Sequence, residues 1–223
     1  YSEEPFRSFQ QAVENIGGEN MQRFVEGRRL FHTSFKDGKH SESPNINPVF
    51  SEHADKIGDR FNGERCFSCH QMNGRSLPAE VGETIETMSI MTALESTGDS
   101  FEADPTYGMN VQQLSLNSSA DDYSVTVSGF ETVKEVTLSG NKTVELTKPV
   151  YDFANATPTV YSVRQAPQVI GMGLIEALDE ETILAQADPN DADGDGIRGI
   201  PNWSIDPETG LKHLGRYGWK AGK

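Results

Sequence analysis

The sequence predicts a mainly α-helical fold with a small β-meander and long loops. Apolar residues recur at spacings of three and four through residues 5–31, which is typical of amphipathic helices. β-Branched residues dominate residues 123–153, which is typical of strands. Residues 32–65 are polar and show no periodicity, so a long loop should follow the first helices.

Five helical segments are expected. Two lie within residues 5–31 and are divided at Gly17 and Gly18, because paired glycines interrupt helices. A third covers residues 79–94 and would place Met88 and Met91 on one face. The fourth region is the apolar, helix-like stretch 166–178, after which Asp179 and two glutamates begin a further helix to about residue 187.

The β-element should lie between Tyr123 and Phe153. Its strands alternate Val and Leu with polar residues, and Gly140 and Asn141 supply a turn between them. The sequence therefore predicts a small meander or a hairpin here.

Composition excludes several classes of protein. The 223 residues carry 19 Lys and Arg against 34 Asp and Glu, a formal charge of −15. Nucleic acid is not an expected partner, since phosphate neutralisation needs clustered cations. No apolar run approaches the roughly 20 residues that span a bilayer, so we expect no transmembrane segment in this chain.

The two cysteines form the most informative motif. Cys66 and Cys69 are followed directly by His70, which gives the pattern C-x-x-C-H. This pattern marks covalent attachment of c-type haem. Two thiols at this spacing can reach the two vinyl groups on one porphyrin edge, while the histidine lies below the iron as its proximal ligand. The sequence thus predicts a cytochrome c-like domain that holds haem c.

Three other interpretations of the cysteine pair stay open. They are a thioredoxin-like dithiol, half of a zinc site and a small structural disulfide. A thioredoxin-like motif should follow a strand and begin a helix, whereas a charged loop with glycines precedes Cys66. A zinc site would need a second pair of soft ligands, and the chain has no other cysteine.

Covalent haem attachment also predicts a compartment. The attachment machinery of bacteria acts outside the cytoplasmic membrane, so we expect a periplasmic or otherwise extracytoplasmic protein.

The sixth ligand of the iron is less well defined by the sequence. Electron-transfer haems commonly use Met or a second His, whereas peroxidase-like haems keep this position open. Met91 is the preferred candidate because the expected helix 79–94 would line the haem pocket. The alternatives are Met88, Met109, Met172, His32, His40, His53 and His213.

An Asp-rich segment matches the first half of a calcium-binding loop. Carboxylates at positions one, three and five surround a hard cation, and glycine at position six permits the sharp turn. The predicted ligands are Asp191, Asp193, Asp195, the carbonyl of Ile197, and Asn202. Asn202 stands where an EF-hand has a bidentate Glu, so a turn that solvates its own charges is the alternative.

Several segments together resemble a known family. Phe61-Asn62-Gly63 before the haem motif, residues 104–108, residues 166–202 and the terminal residues 214–222 follow one another in the order found in that family. In these segments the chain resembles the di-haem oxidoreductases of bacterial c-type cytochromes, also labelled peroxidases or thiol oxidoreductases. The resemblance implies helices beside the haem and a family-specific extension. It also implies a second C-x-x-C-H beyond the Gly-Trp-Lys segment, so we expect this chain to be the first part of a longer protein.

Two regions are predicted from this organisation. Residues 1–122 would form the helical haem-binding region. Residues 123–223 would hold the β-meander, helices and the Asp/Gly-rich loop, packed on the haem region.

The expected function is haem binding and electron transfer by an extracytoplasmic c-type cytochrome, one half of a di-haem oxidoreductase. Its partner would be a redox protein or a second haem domain. A peroxide-reducing haem enzyme and a haem-free, calcium-stabilised binding module are the alternatives. Thiol chemistry is disfavoured, since the haem would consume both thiols.

Overall fold

The protein is described by a computed structural model covering residues 4–94, 102–117, 123–206 and 208–222. Helices account for 21% of the chain and strands for 27%. The predicted mainly α-helical class is therefore wrong. The chain divides into two compact units, Tyr1–Gln168 and Val169–Lys223.

The first unit begins with short and long helical segments. Pro5–Gln10 forms only a 3₁₀ helix, and α1 (Gly18–His32) follows it. Gly17 caps α1 in an extended conformation, so the predicted division at the two glycines is confirmed. Glu19 in the first turn and Arg29 in the last turn suit the helix dipole.

The helix predicted over residues 79–94 is wrong. β2 (Met88–Ala93) pairs antiparallel with β6 (Val160–Gln165) along its whole length. Ile90 is fully buried, and β-branched residues in this stretch suit a half-buried strand. Pairing with a segment 70 residues away outweighs the local helical spacing, because tertiary contacts override helix propensity.

The strands predicted for residues 123–153 are confirmed, as a two-stranded hairpin rather than a longer meander. β4 (Val125–Thr137) pairs antiparallel with β5 (Thr143–Phe153). Gly140 and Asn141 both have positive φ, 84° and 59°, at the turn between the strands. A smaller ribbon, β1 (Arg60–Phe61) with β3 (Leu114–Ser115), lies in the same unit.

The core of this unit lies at the base of the hairpin. Its buried members are Ile85, Ile90, Tyr107, Val111, Val125 and Val127. Residues from four separate stretches of chain therefore meet there, and the core connects β2 to β4.

The second unit consists of short elements. They are α3 (Met172–Glu176), α4 (Glu180–Leu184), β7 (Trp203–Ile205) and β8 (Lys212–Leu214), and the two strands pair antiparallel. The helix-like stretch 166–178 yields only α3, because Gly171 takes a left-handed φ of 72° immediately before it. The predicted start of α4 is confirmed, since the Asp179 carboxylate accepts from the Glu181 N–H at 2.8 Å.

Arg216 connects the two ends of the second unit. Its Nη1 donates to the carbonyls of Ile175 and Glu176 in the last turn of α3 and to the carbonyl of Leu178 just beyond it. The last carbonyls of a helix receive no N–H from a following turn, so the guanidinium caps the carboxyl end of α3, where the Ile175 carbonyl also accepts from the Leu178 N–H. Among the helices of the described ranges, none combines the length and apolar character needed to cross a membrane.

Candidate functional site

The C-x-x-C-H motif folds as one helical turn, α2 (Cys66–Cys69). Residues three apart share a helix face, so the thiols of Cys66 and Cys69 lie on the same side. The His70 N–H donates to the Cys66 carbonyl at 3.1 Å, after which His70 leaves helical geometry with ψ 64°. Five consecutive residues thus present two thiols and an imidazole.

Close packing fixes this turn on both sides. A Cβ added to Gly63 would lie 2.9 Å from Cβ of Ser68, so only glycine allows the preceding loop to approach α2 this closely. On the other side, the Asn73 side-chain amide donates to the Phe9 carbonyl at 2.9 Å. Gly63 belongs to the triplet Phe61-Asn62-Gly63, which is part of the family resemblance. Its close contact with Ser68 explains why this position of the triplet requires glycine.

Both cysteines are free thiols. Burial raises the pKa of each thiol above its ordinary value, and the neighbouring Cys66 raises that of Cys69 further. Reactive dithiols of the thioredoxin type instead depend on a lowered pKa. The environment of Cys66 and Cys69 therefore does not suit thiol redox catalysis, and no disulfide joins them.

His70 has a defined partner on its second ring nitrogen. Its Nδ1 lies 2.7 Å from the carbonyl oxygen of Pro167. A carbonyl only accepts, so Nδ1 carries a proton, and in the neutral imidazole Nε2 is the nitrogen with the free lone pair. Metal-bound histidines are commonly fixed in this way by a backbone carbonyl.

Ser76 holds the two residues that precede Pro167. The Ala166 N–H donates to Oγ of Ser76 at 2.9 Å, and the Gln165 side-chain amide donates to the Ser76 carbonyl. Ser76 is 1% exposed. Sequence reasoning missed both Ser76 and Pro167, because their connection to the motif depends on the pairing of β2 with β6.

These residues fit a c-type haem. Two thiols share one helix face, and the adjacent imidazole uses Nδ1 for its hydrogen bond, which leaves Nε2 as the nitrogen that would ligate the iron. Half of a zinc site fits less well. Within the described ranges, the one group of three or more His, Cys, Asp or Glu side chains placed to share a metal ion is aspartate alone.

Met91 lies on a strand instead of the expected pocket helix. Residues three apart on a strand point to opposite faces, so Met88 and Met91 do not share one. The Met91 sulfur accepts from the Asn110 amide at 3.5 Å and from the Ser89 hydroxyl at 3.7 Å. The role of Met91 as the sixth iron ligand remains a prediction. The helix 79–94 that suggested this role is absent, because Met91 lies in β2.

The other candidates for the sixth ligand occupy varied environments. Met88 packs against the core, Met109 is 47% exposed, and Met172 begins α3. His53 packs between the rings of Phe35 and Phe50. His40 is buried, and His213 is exposed on β8.

His32 is fully buried, and its Nε2 is enclosed and unpartnered within the described structure. His32 as sixth iron ligand therefore stays a prediction, as do the other candidates.

A cleft of about 620 Å³ lies beside α2 in the first unit. Its walls carry polar and charged side chains that include Arg65, Ser68, Gln71 and Glu86. Ser68 is the direct neighbour of Cys69 in α2, so the cleft borders the attachment turn. Its lining includes neither of the two cysteines nor His70.

The Asp-rich segment brings three carboxylates together. Oxygens of Asp188, Asp191 and Asp193 lie within 4.8 Å of one another. Asp188 is absent from the predicted ligand set, and Asp195 is outside this group, with its carboxylate accepting from the Ile197 N–H at 2.7 Å. The Asn202 carbonyl accepts from Gly215 N–H at 2.8 Å.

Backbone pairing closes this loop. Asp188 and Gly199 exchange two N–H···O bonds of 2.9 and 3.0 Å and so close the loop. Asp188 therefore supplies both a backbone pair at the base of the loop and one of the three grouped carboxylates. The three-residue spacing from Asp188 to Asp191 is the signal that could have identified it from sequence.

Residues 159–223 match the family described as "Di-haem oxidoreductase, putative peroxidase". This confirms the family resemblance for the segments 166–202 and 214–222, whereas the segments 61–63 and 104–108 lie outside the match. The di-haem oxidoreductase match covers less than a third of the chain and includes Pro167, whereas the C-x-x-C-H motif lies outside it. No curated protein and no solved structure matches the chain.

Proposed function

We propose that this chain is the haem-bearing part of an extracytoplasmic c-type cytochrome that transfers electrons, as one half of a di-haem oxidoreductase. The supporting observation is the hydrogen bond from His70 Nδ1 to the Pro167 carbonyl. It links the imidazole of the C-x-x-C-H motif to the segment that matches the di-haem family.

Each residue of the motif has a separate task in this proposal. Cys66 and Cys69 hold the porphyrin edge through thioether bonds, and His70 ligates the iron through Nε2. The Pro167 carbonyl orients the imidazole and raises its basicity, which tunes the iron ligand. The bound haem supplies one-electron chemistry, while the protein supplies orientation and burial.

The second haem of the proposed oxidoreductase belongs to a partner domain. Leu174, Ile197, Ile200, Ile205 and Leu211 are each between 68% and 72% exposed in the second unit. Leu214 is the one large apolar residue buried in the described part of that unit. Contiguous exposed apolar surface commonly marks an interaction site, and these five side chains are the ones that a partner domain would cover.

An optical experiment tests the haem proposal directly. The chain is produced together with a c-type haem attachment system, and spectra are recorded before and after acid–acetone extraction. We expect haem bands that survive extraction in the wild type and in Ser68→Ala, a control within the same helical turn. The double variant Cys66→Ser/Cys69→Ser should lose all pigment on extraction. A colourless wild type would overturn the proposal and favour the haem-free binding module.

Peroxide reduction is the second candidate, because the description of the matching family includes peroxidase. A low-spin, six-coordinate iron that does not react with peroxide would support electron transfer. A high-spin iron that consumes peroxide stoichiometrically would support the enzyme. The same haem-loaded sample therefore separates the two functions.

We also propose that the Asp-rich loop binds calcium and stabilises the second unit. Three carboxylates grouped on a loop closed by backbone pairing favour a hard cation. Bound cation would offset the repulsion between these acids and so raise the stability of the loop.

A further inference from the structure

We propose that His32 is a positioning residue for the haem-attachment turn, orienting His70 through the contacts of the last two residues of α1. The inference rests on the proposed function, since it concerns the ligand of the proposed haem.

Two adjacent aromatic residues at the end of α1 contact the motif. The ring of His32 lies 4.5 Å from the ring of Phe67 between centroids, and Phe67 stands between the two cysteines. The ring of Phe31 lies 6.2 Å from that of His70. One end of one helix thus contacts both the attachment turn and the iron ligand.

His32 is itself held from three sides. Its Nδ1 lies 2.7 Å from the Ser41 hydroxyl, and its ring stacks on His40 at 5.1 Å with an interplanar angle of 16°. The Ser41 N–H donates to the His32 carbonyl at 3.0 Å. A side chain this constrained can fix the position of its neighbour, because buried packing tolerates little displacement.

The loop that follows His32 also forms hydrogen bonds with Glu64, near the start of the motif. The Phe35 N–H donates to the Glu64 carbonyl at 2.8 Å, and the Ser34 hydroxyl donates to the Glu64 carboxylate at 3.1 Å. Glu64 lies two residues before Cys66. The end of α1, the following loop and the attachment turn therefore form one connected set of contacts.

The charges around His32 are largely paired with one another. Arg28 and Glu42 form an ion pair of 2.7 Å, and Arg65 lies 3.3 Å from Glu64. The imidazole thus contributes through its ring and its single hydrogen bond rather than through an ion pair. A phenylalanine ring should preserve the first contribution, and an alanine should preserve neither.

Three variants test the inference. His32→Ala removes the ring, and His32→Phe keeps it. Phe50→Ala is the matched control, because the Phe50 ring packs on Arg29 of α1 and on His53. The readouts are the tautomer of His70 by nitrogen NMR in the haem-free chain, and the visible spectrum and reduction midpoint in the haem-loaded chain.

We expect His32→Ala to lose the single Nδ1–H tautomer of His70 and, with haem attached, to shift the reduction midpoint and increase the high-spin fraction. His32→Phe should restore all three, and Phe50→Ala should lower the melting temperature without changing them. If His32→Ala lowers only the melting temperature, the inference is overturned. A wild type without covalent haem refutes the proposed function instead, and the NMR readout distinguishes the two failures.

Discussion

The Nδ1 atom of His70 lies 2.7 Å from the carbonyl oxygen of Pro167, although 97 residues separate them in the chain. His70 belongs to the C-x-x-C-H motif, and Pro167 to the segment that matches the di-haem family. The pairing of β2 with β6 brings them together, since β6 ends two residues before Pro167. The ligand environment is therefore built from two distant parts of the chain.

Ser76→Ala should weaken this arrangement. The change leaves the buried Ala166 N–H without its acceptor, so we expect a loss of about 1–3 kcal/mol in the free energy of unfolding. Urea denaturation measures it, with Ser8→Ala as a control whose hydroxyl is exposed. Equal stabilities of the two variants would show that the Ser76 bond contributes nothing.

The stability of the protein should depend on pH through His32. Burial, followed by the charge of Arg28, lowers the pKa of this histidine to about 4. Between pH 6.5 and 4 the imidazole of His32 binds a proton in the unfolded chain but not in the folded chain. The contribution of His32 to the free energy of unfolding should therefore fall by about 3 kcal/mol as pH drops through this window and level off below it.

His32→Phe provides the check on that pH dependence. Phenylalanine does not titrate, so denaturation curves of this variant between pH 4 and 6.5 should lack the contribution of His32. Parallel stability profiles for wild type and variant would contradict the assignment.

Tyr107→Phe should leave stability unchanged or raise it by up to about 1 kcal/mol. The hydroxyl of Tyr107 is buried without a hydrogen-bond partner among the described residues, so its removal relieves a desolvation cost. Thermal melting measures the change.

Gln113→Met supplies the opposite case. The Gln113 side chain donates to the Ile85 carbonyl and accepts from the Val125 N–H, so methionine leaves two buried backbone groups unpaired. We expect a cost of about 1–3 kcal/mol. A loss for Tyr107→Phe as large as that for Gln113→Met would mean that the Tyr107 hydroxyl has a partner.

Terbium luminescence should distinguish two ligand sets for the Asp-rich loop. If the grouped carboxylates bind the cation, Asp188→Asn should weaken binding about tenfold, and Asp195→Asn should weaken it less. The reverse order would favour the ligand register predicted from the sequence. Binding that survives Asp188→Asn/Asp193→Asn would place the cation elsewhere.

Sequence reasoning succeeded where the signal is local. The division before α1, the Asp179 cap of α4 and the hairpin turn at Gly140 each depend on residues within one or two turns of chain. The spacing of Cys66, Cys69 and His70 is likewise local, and α2 presents them together as expected.

Sequence reasoning failed where distant pairing decides. Met88 and Met91 have helical spacing, yet their segment forms a strand because it pairs with β6. Ser76 and Pro167 carry no motif, because their roles arise only when that pairing forms. Gly171 shows a different cause, since its left-handed conformation shortens a stretch that otherwise resembles a helix.

The hairpin of β4 and β5 has a consequence for the order of folding. Its strands are joined by a short turn, so it can form within microseconds from local contacts. β2 and β6 lie on either side of it and must close a much longer loop, which is entropically slower. Early formation of the β4–β5 hairpin shortens the effective loop between β2 and β6. The hairpin would therefore speed the pairing of β2 with β6, which brings His70 to the Pro167 carbonyl.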